Sequence, residues 1–331
     1  MGLRVSFIFY VLLGALAFSQ LGTSCSHPAK TRHYVIGFSQ CIGGNWRMVM
    51  LEEMKRELSF HDNVNLLYRE ADGNTDKQVQ QVQELLDQKI DLLIISPNEA
   101  EPLTPIVNKA YKEGIPVIVV DRKIASPSYT AYVGGDNYQV GKMAGEYAVH
   151  LLKGQGNVLE VMLPPGSSPA SERHKGFMEA IKTYPELHFL RDVNGELLKQ
   201  HQDTSISRTI LQNGKIDLVF AQNDFLASKI ADIYKQKGLP RPKIIGVDGL
   251  PGKGEGMQLV QDKMITATLL YPTGGEEAIR LALKILNGQS IEKEKLLQTT
   301  VIDSANVRIM QLQAAKSASL QTQNERQQNL L

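Results

Sequence analysis

The chain has 331 residues, 42% hydrophobic and 21% charged, with 36 basic side chains against 35 acidic ones and a net charge of +1. That length holds two α/β domains of ordinary size. The charge balance offers no electrostatic footprint for nucleic acid, and two cysteines, Cys25 and Cys41, provide no disulfide framework, so stability has to come from a packed core.

The first 25 residues stand apart from the rest. Arg4 precedes an apolar run from Val5 to Phe18, and Gly22-Thr23-Ser24-Cys25 follows. This is the pattern of a cleaved secretory signal or a retained N-terminal membrane anchor, and Cys25 adds a loose lipoprotein cleavage box. Cys41 reads as a small buried hydrophobe.

The elements then alternate. Strands are expected at Tyr34–Ser39, Asn63–Glu70, Ile90–Ser96, Pro116–Val120 and Tyr129–Val133, with helices at Trp46–Phe60, Asp76–Gln88 and Pro102–Glu113 between the first four. Asp76 reads as a helix N-cap. Past Gly134-Gly135-Asp136-Asn137 the pattern starts again. Helices are expected at Val140–Leu152, Ser171–Tyr184, Asp203–Gln212, Phe225–Lys237, Met257–Gln261 and Gly275–Leu286, and strands at Asn157–Met162, His188–Val193, Ile216–Ala221, Lys243–Val247, Thr266–Tyr271 and Leu297–Ile302. From Ala305 to Leu331 there is neither glycine nor proline. Ile309, Leu312 and Leu320 form a sparse stripe there, the mark of a terminal helix that packs weakly. Two successive β–α runs mean two doubly wound lobes, each with a parallel sheet covered on both faces, and a cleft between them.

Enzyme motifs fail one by one. Gly43-Gly44 lacks the dinucleotide-binding spacing, and Gly252-Lys253 is followed by neither Ser nor Thr. The seven histidines (His27, His33, His61, His150, His174, His188 and His201) have no metal-ligand spacing, and no serine stands in a nucleophile elbow. No catalytic residue, metal or cofactor is expected.

Polar residues, in contrast, recur just past strand ends, where sheets of this kind take their ligands. Asn98-Glu99, Asp121-Arg122, Asn223 with the adjacent acid at 224, and Asp248 all stand there; Asn45-Trp46-Arg47 opens the first helix and Arg173 a later one. Taken singly, each is a cap or a surface ion pair as readily as a ligand contact. Their chemistry as a set suits a neutral polyol. Carboxylates accept from neighbouring hydroxyls, guanidinium donates through a planar fork, and the single tryptophan can lie on the C–H face of a sugar ring.

The stretches PVIVVDRK (116–123), GGDN (134–137), SERHKGF (171–177), FAQND (220–224) and IIGVDG (244–249) occur in the order and spacing of the type I periplasmic sugar-binding proteins, the ribose/galactose-binding group. Residues 33–303 resemble that family. The resemblance implies a three-strand hinge marked by Asp136 and Asn137, and lobes at 33–135 plus 271–298 and at 136–270 plus 299–304. It places Asp121, Arg122, Arg173, Asn223 and Asp248 on a monosaccharide, a pentose or a hexose. Tyr271 falls where the ribose binders carry glutamine, and Gly43–Arg47 replaces their Asn-Pro-Phe-Phe loop. The tail IDSANVRIMQLQAAK (302–316), the SQCIGGNWR loop and SPNEAEPLTP are similar to the periplasmic sensor domains of Bacteroides-type hybrid two-component systems. That likeness makes 305–331 a signalling helix, with a homodimer as partner and attachment to the inner membrane through the termini. The alternative is a free periplasmic binding protein serving an ABC permease.

Overall fold

The computed structural model describes residues 32–195, 212 and 214–316. A first run comprises β1 (Tyr34–Gln40), α1 (Asn45–Leu58), β2 (Val64–Glu70), α2 (Thr75–Asp87), β3 (Leu92–Ser96), α3 (Ala100–Lys112), β4 (Val117–Val120) and β5 (Ala131–Gly135). A second comprises α4 (Asn137–Leu152), β6 (Gly156–Met162), α5 (Ser168–Ile181), β7 (Leu187–Asn194), β8 (Leu218–Ala221), α6 (Asp224–Gln236), β9 (Lys243–Asp248), α7 (Gly256–Gln261) and β10 (Ala267–Leu270). The chain then returns through α8 (Gly275–Leu286) and β11 (Glu294–Leu297) and ends its strands at β12 (Val301–Asp303).

These strands build two six-stranded sheets, ordered β11-β5-β4-β3-β1-β2 and β12-β10-β9-β8-β6-β7. Every pairing is parallel except that of β10 with β12. Parallel sheets of this kind need cover on both faces, and β3 and β4 accordingly bury every residue. In the first lobe α1 and α8 pack on one face around Phe38, Met50, Ile94 and Ile279, while α2 and α3 pack on the other around Leu85, Leu93, Val107 and Val119. The second lobe repeats the scheme with α4 and α5 on one face and α6 and α7 on the other.

The chain crosses between the sheets three times: at Asp136, between β10 and α8, and between β11 and β12. The last crossing splits what the sequence presents as a single strand over Leu297–Ile302. Glu294–Leu297 pairs with β5 in the first sheet and Val301–Asp303 with β10 in the second.

Other differences are local. Asn74, not Asp76, caps α2, its side chain accepting from Lys77 N at 2.9 Å; Asp76 lies in the first turn. Asp136 caps α4, which starts at Asn137, and α5 starts at Ser168, which puts Arg173 in its second turn. Residues 307–316 are helical, but Ile309 and Leu312 face solvent at 57% and 71% exposure. Val307 and Met310 pack on the second lobe instead. The expected helix at Asp203–Gln212, all but its last residue, lies outside the described residues, as do residues 1–25 and those after 316. Among the described residues no helix is long and apolar enough to cross a membrane.

Candidate functional site

Two aspartates at equivalent strand ends in opposite lobes carry unusual backbone. Asp121, after β4, has φ 62°, and Asp248, ending β9, has φ 126°. Side chains with a Cβ rarely adopt positive φ, and each instance costs on the order of 1–3 kcal/mol. Asp121 is held there by its own N–H donating to Val133 O at 2.8 Å and by Tyr132 Oη donating to its carbonyl at 2.9 Å. Asp248 is held by Tyr271 N–H donating to its carbonyl at 3.0 Å. The strain turns both carboxylates towards one cleft.

On the first-lobe wall, Arg47 from the start of α1 donates to Asp121 Oδ2 at 2.5 Å and to Ser96 Oγ at 2.9 Å. Burial alone would lower the Arg47 pKa, but Asp121 more than offsets it and holds the guanidinium above its ordinary value. The same guanidinium lies 4.8 Å from the Trp46 ring centre. Arg122 donates through Nη1 to Asn98 O at 2.8 Å; its buried Nε has no partner among the described residues. A buried, unpaired donor is costly unless a ligand satisfies it.

The second-lobe wall depends on close helix packing. A Cβ at Gly141 of α4 would stand 1.9 Å from Arg173 O, and one at Gly176 of α5 would stand 2.0 Å from Tyr138 O. Only glycines let α5 lie on α4 closely enough to bring Arg173 into the cleft. Arg173 is buried, donates through Nε to Asn137 Oδ1 at 2.9 Å and through Nη1 to Gln222 O, and sits 4.7 Å above the Tyr271 ring. Asn223 caps α6 through Oδ1, at 2.8 Å from Leu226 N, which leaves its amide N–H groups for the cleft. Tyr271, 1% exposed, accepts from Asn137 Nδ2 at 3.0 Å, and its carbonyl accepts from Trp46 Nε1 at 2.9 Å. Burial, then Asp121, push the Tyr271 hydroxyl pKa up.

Asp248 makes no side-chain hydrogen bond among the described residues, and burial pushes its carboxyl up to about 7; Asp121 and Glu255 add to the rise while Arg173 and Arg47 oppose it. Asp224 beneath it accepts from Gly249 N at 2.8 Å and is pushed well above the carboxylate range by burial and by Asp248.

These groups line one cavity of about 360 Å³ between the lobes. Of the residues singled out in the sequence, Asn45, Trp46, Arg47, Asp121, Arg122, Arg173, Asn223, Asp248 and Tyr271 line it. Asn98 and Glu99 do not. Asn98 spends its amide on Gly73 O and Thr75 Oγ1 and its carbonyl on Arg122, so it steadies the arginine from behind. Glu99 accepts from Thr75 Oγ1 and backs against Gly166 at the seam between the lobes. Asp136 is a helix cap, whereas Asn137 is buried and joins Arg173 to Tyr271.

The lining also includes Asp224, which stood with Asn223 among the polar strand ends, and Leu163, Pro164, Pro169, Phe225 and Glu255, none of which stood out as a ligand group. Phe225 is 44% exposed, and its place directly after Asn223-Asp224 is the sequence signal that could have found it. A larger hollow of about 840 Å³ lies at the amino ends of the second-sheet strands, away from this convergence. Among the described residues no group of three or more His, Cys, Asp or Glu is arranged to hold a metal.

Direct contacts bridge the cleft on both sides of the cavity. Asn45 Nδ2 donates to Glu255 Oε1 at 2.8 Å, Ala100 N to Gly166 O at 3.2 Å and Lys123 N to Ser168 Oγ at 2.8 Å, and Lys123 Nζ pairs with Glu172 at 3.2 Å.

Residues 36–290 match the model of the periplasmic binding protein domain family. The chain belongs to that family. Its architecture matches the fructose-binding periplasmic domain of a hybrid two-component system with a TM-score of 0.87 and 40% identity, over 90% of this chain and all of that one. The galactofuranose-binding protein of Escherichia coli is 29% identical over 248 residues, 71% of this chain and 77% of that protein. The ribose import binding protein of Salmonella typhimurium is 26% identical over 230 residues, 69% and 76% of the two chains. These relatives carry the names of sugar-binding proteins, not of enzymes. The two-lobed type I architecture of this chain matches that of the solved periplasmic domain.

Proposed function

We propose that this chain binds a monosaccharide in the interlobe cavity, on the periplasmic side of the inner membrane, as the input of a sugar-sensing two-component receptor. The observation that carries the reading is the convergence of Arg47, Arg122, Arg173, Asn223, Asp121 and Asp248 on one cavity walled by Trp46 and Tyr271. Donors and acceptors both line it, as a ring of hydroxyls needs, and charge-assisted hydrogen bonds supply affinity for a ligand with little apolar surface. Both lobes contribute, so sugar favours the closed arrangement and shifts the open–closed population towards it. The lobes divide at 33–135 plus 271–298 and 136–270 plus 299–304. Closure moves β12 and with it the helix at 307–316, which passes the change on within a homodimer.

The receptor reading is supported by the 40% identity to a two-component periplasmic domain that binds fructose. The second reading, a free binding protein serving an ABC permease, is supported by the curated ribose and galactofuranose relatives. A thermal-shift screen against D-fructose, D-ribose, L-arabinose, D-galactose and myo-inositol tests the binding, because a ligand specific to the native state raises the melting temperature. No shift with any of them refutes the sugar reading. The mass of the mature N-terminus in membrane and soluble fractions separates receptor from transporter.

A further inference from the structure

We propose that Glu160 and His174 are positioning residues for the guanidinium of Arg173 and the amide of Asn223, acting through Gln222; this deepens the sugar-binding reading and rests on it. Glu160 lies in β6, where its neighbours Leu159 and Val161 belong to the core, and it is 0% exposed. Burying a carboxylate in such a place is costly unless it is fully hydrogen-bonded. It is fully bonded here: Oε1 accepts from Gln222 Nε2 at 2.7 Å and Oε2 faces His174 Nδ1 at 2.6 Å.

Gln222 is also 0% exposed and uses every polar atom it has. Its Oε1 accepts from Leu163 N at 3.0 Å, and its Nε2 also donates to Ala170 O at 3.0 Å. Its backbone N–H donates to Val161 O, and its carbonyl accepts from Arg173 Nη1. The next residue is Asn223. Helix α5 is thus gripped three times from one centre: at Ala170 by the Gln222 side chain, at Arg173 by the Gln222 carbonyl, and at His174 by Glu160. None of Glu160, Gln222 and His174 lines the cavity. The network sets the pose of two cavity groups from behind.

An ionised carboxylate accepts from both partners at once, whereas an amide in its place turns a donor towards one of them. His174, about one third exposed, supplies the opposing charge. The hydrogen bond to Glu160 raises the imidazole pKa and Asp192 on β7 adds to the rise, while burial opposes it; the Phe189 ring lies edge-on, 6.1 Å between ring centres. His174 is therefore charged below its titration range and only a neutral donor above it.

The test uses the full chain, with D-fructose titrations followed through Trp46 fluorescence and calorimetric melting in parallel. Glu160→Gln is expected to weaken binding about tenfold, the lower end of what outer partners of metal ligands contribute at metal sites. His174→Asn sets an uncharged amide donor close to the position of Nδ1. Its dissociation constant relative to wild type should exceed one at acid pH and approach one as pH rises through the histidine's titration. A purely structural role would lower the melting temperature without producing that convergence. If Glu160→Gln shows no cooperative melting, the His174→Asn ratio decides alone. Glu160→Gln binding within about twofold of wild type, or a His174→Asn ratio that is flat in pH, overturns the proposal. Wild-type protein that binds while both variants behave like it overturns this inference only. Wild-type protein that binds neither D-fructose nor any other sugar of the screen overturns the sugar reading and this inference with it.

Discussion

If Asp248 holds the sugar as proposed, affinity would depend on pH in a definite direction. Burial above all pushes its carboxyl up to about 7. An ionised carboxylate accepts from hydroxyls through both oxygens and more strongly than the acid does, so docking would favour the ionised form and release a proton. At about pH 5 only about one molecule in a hundred is ionised, which would weaken the apparent affinity by up to about 100-fold, or up to about 3 kcal/mol at ~1.36 kcal/mol per unit. Affinity therefore rises as pH climbs through 7 and levels off about one unit above it. For stability the sign is opposite. A carboxyl raised above its unfolded value of about 4 stabilises the empty fold at low pH and loses that contribution as pH rises towards 7. Calorimetric titration in two buffers of different ionisation enthalpy measures the proton release directly. Asp248→Asn should abolish both the release and the rising limb, and it should weaken binding at alkaline pH. Wild-type binding at the same strength at about pH 5 and pH 8, with buffer-independent heat, would refute the reasoning.

Three further outcomes follow from the packing. In Gly135→Ala the new Cβ would stand 2.3 Å from the Tyr271 ring, which is 1% exposed and has nowhere to go; overpacking of this kind costs roughly 1–3 kcal/mol, and calorimetry should show a lower melting temperature together with weaker D-fructose binding. Glu172→Ala removes the ion pair with Lys123 that spans the cleft; partly exposed pairs are worth about 0.2–1 kcal/mol, so affinity should fall no more than about fivefold while the melting temperature holds and solution scattering of the empty protein shows a more open particle. Met310→Ala should lower the melting temperature because Met310 packs on the second lobe, whereas Leu312→Ser, at a position 71% exposed, should leave it unchanged; the reverse order would mean the terminal helix sits on its other face.

Legibility in the sequence tracked local chemistry. Apolar β-branched runs such as Val117–Val120 announce central parallel strands whatever surrounds them, and the residue after each run falls at the cleft by topology alone. Asp121, Arg122 and Asp248 were readable for that reason. Asn98 and Glu99 obeyed the same rule and still turned away from the cavity, because Thr75 and Gly73 at the start of α2 offered nearer partners. Glu255 was invisible in a glycine-rich loop, since its place on the wall comes from the lobes meeting, not from its neighbours in sequence. The strand at Leu297–Ile302 failed differently: a single apolar run served two sheets, and nothing local marks where a chain leaves one sheet for the other. The terminal helix with weak packing was legible from its sparse stripe, but helical spacing does not say which face has a partner, and Val307 and Met310 pack while Ile309 and Leu312 face solvent.

The crossings and the cavity share their residues, and this ties binding to lobe geometry. Asn137 begins α4 just past the first crossing, and Tyr271 stands in the second; a hydrogen bond joins them, and Asn137 also accepts from Arg173. Trp46 donates to the Tyr271 carbonyl, and Glu53, from the same helix, accepts from Thr273 and from Gly275 N, so α1 holds the second crossing at both ends. The N-terminus of α1 also supplies Arg47 and Asn45 to the cleft. On the proposed reading, a sugar that draws Arg47 and Arg173 onto one ring would act on two of the three crossings through bonds of one or two residues each, and no longer pathway would be needed.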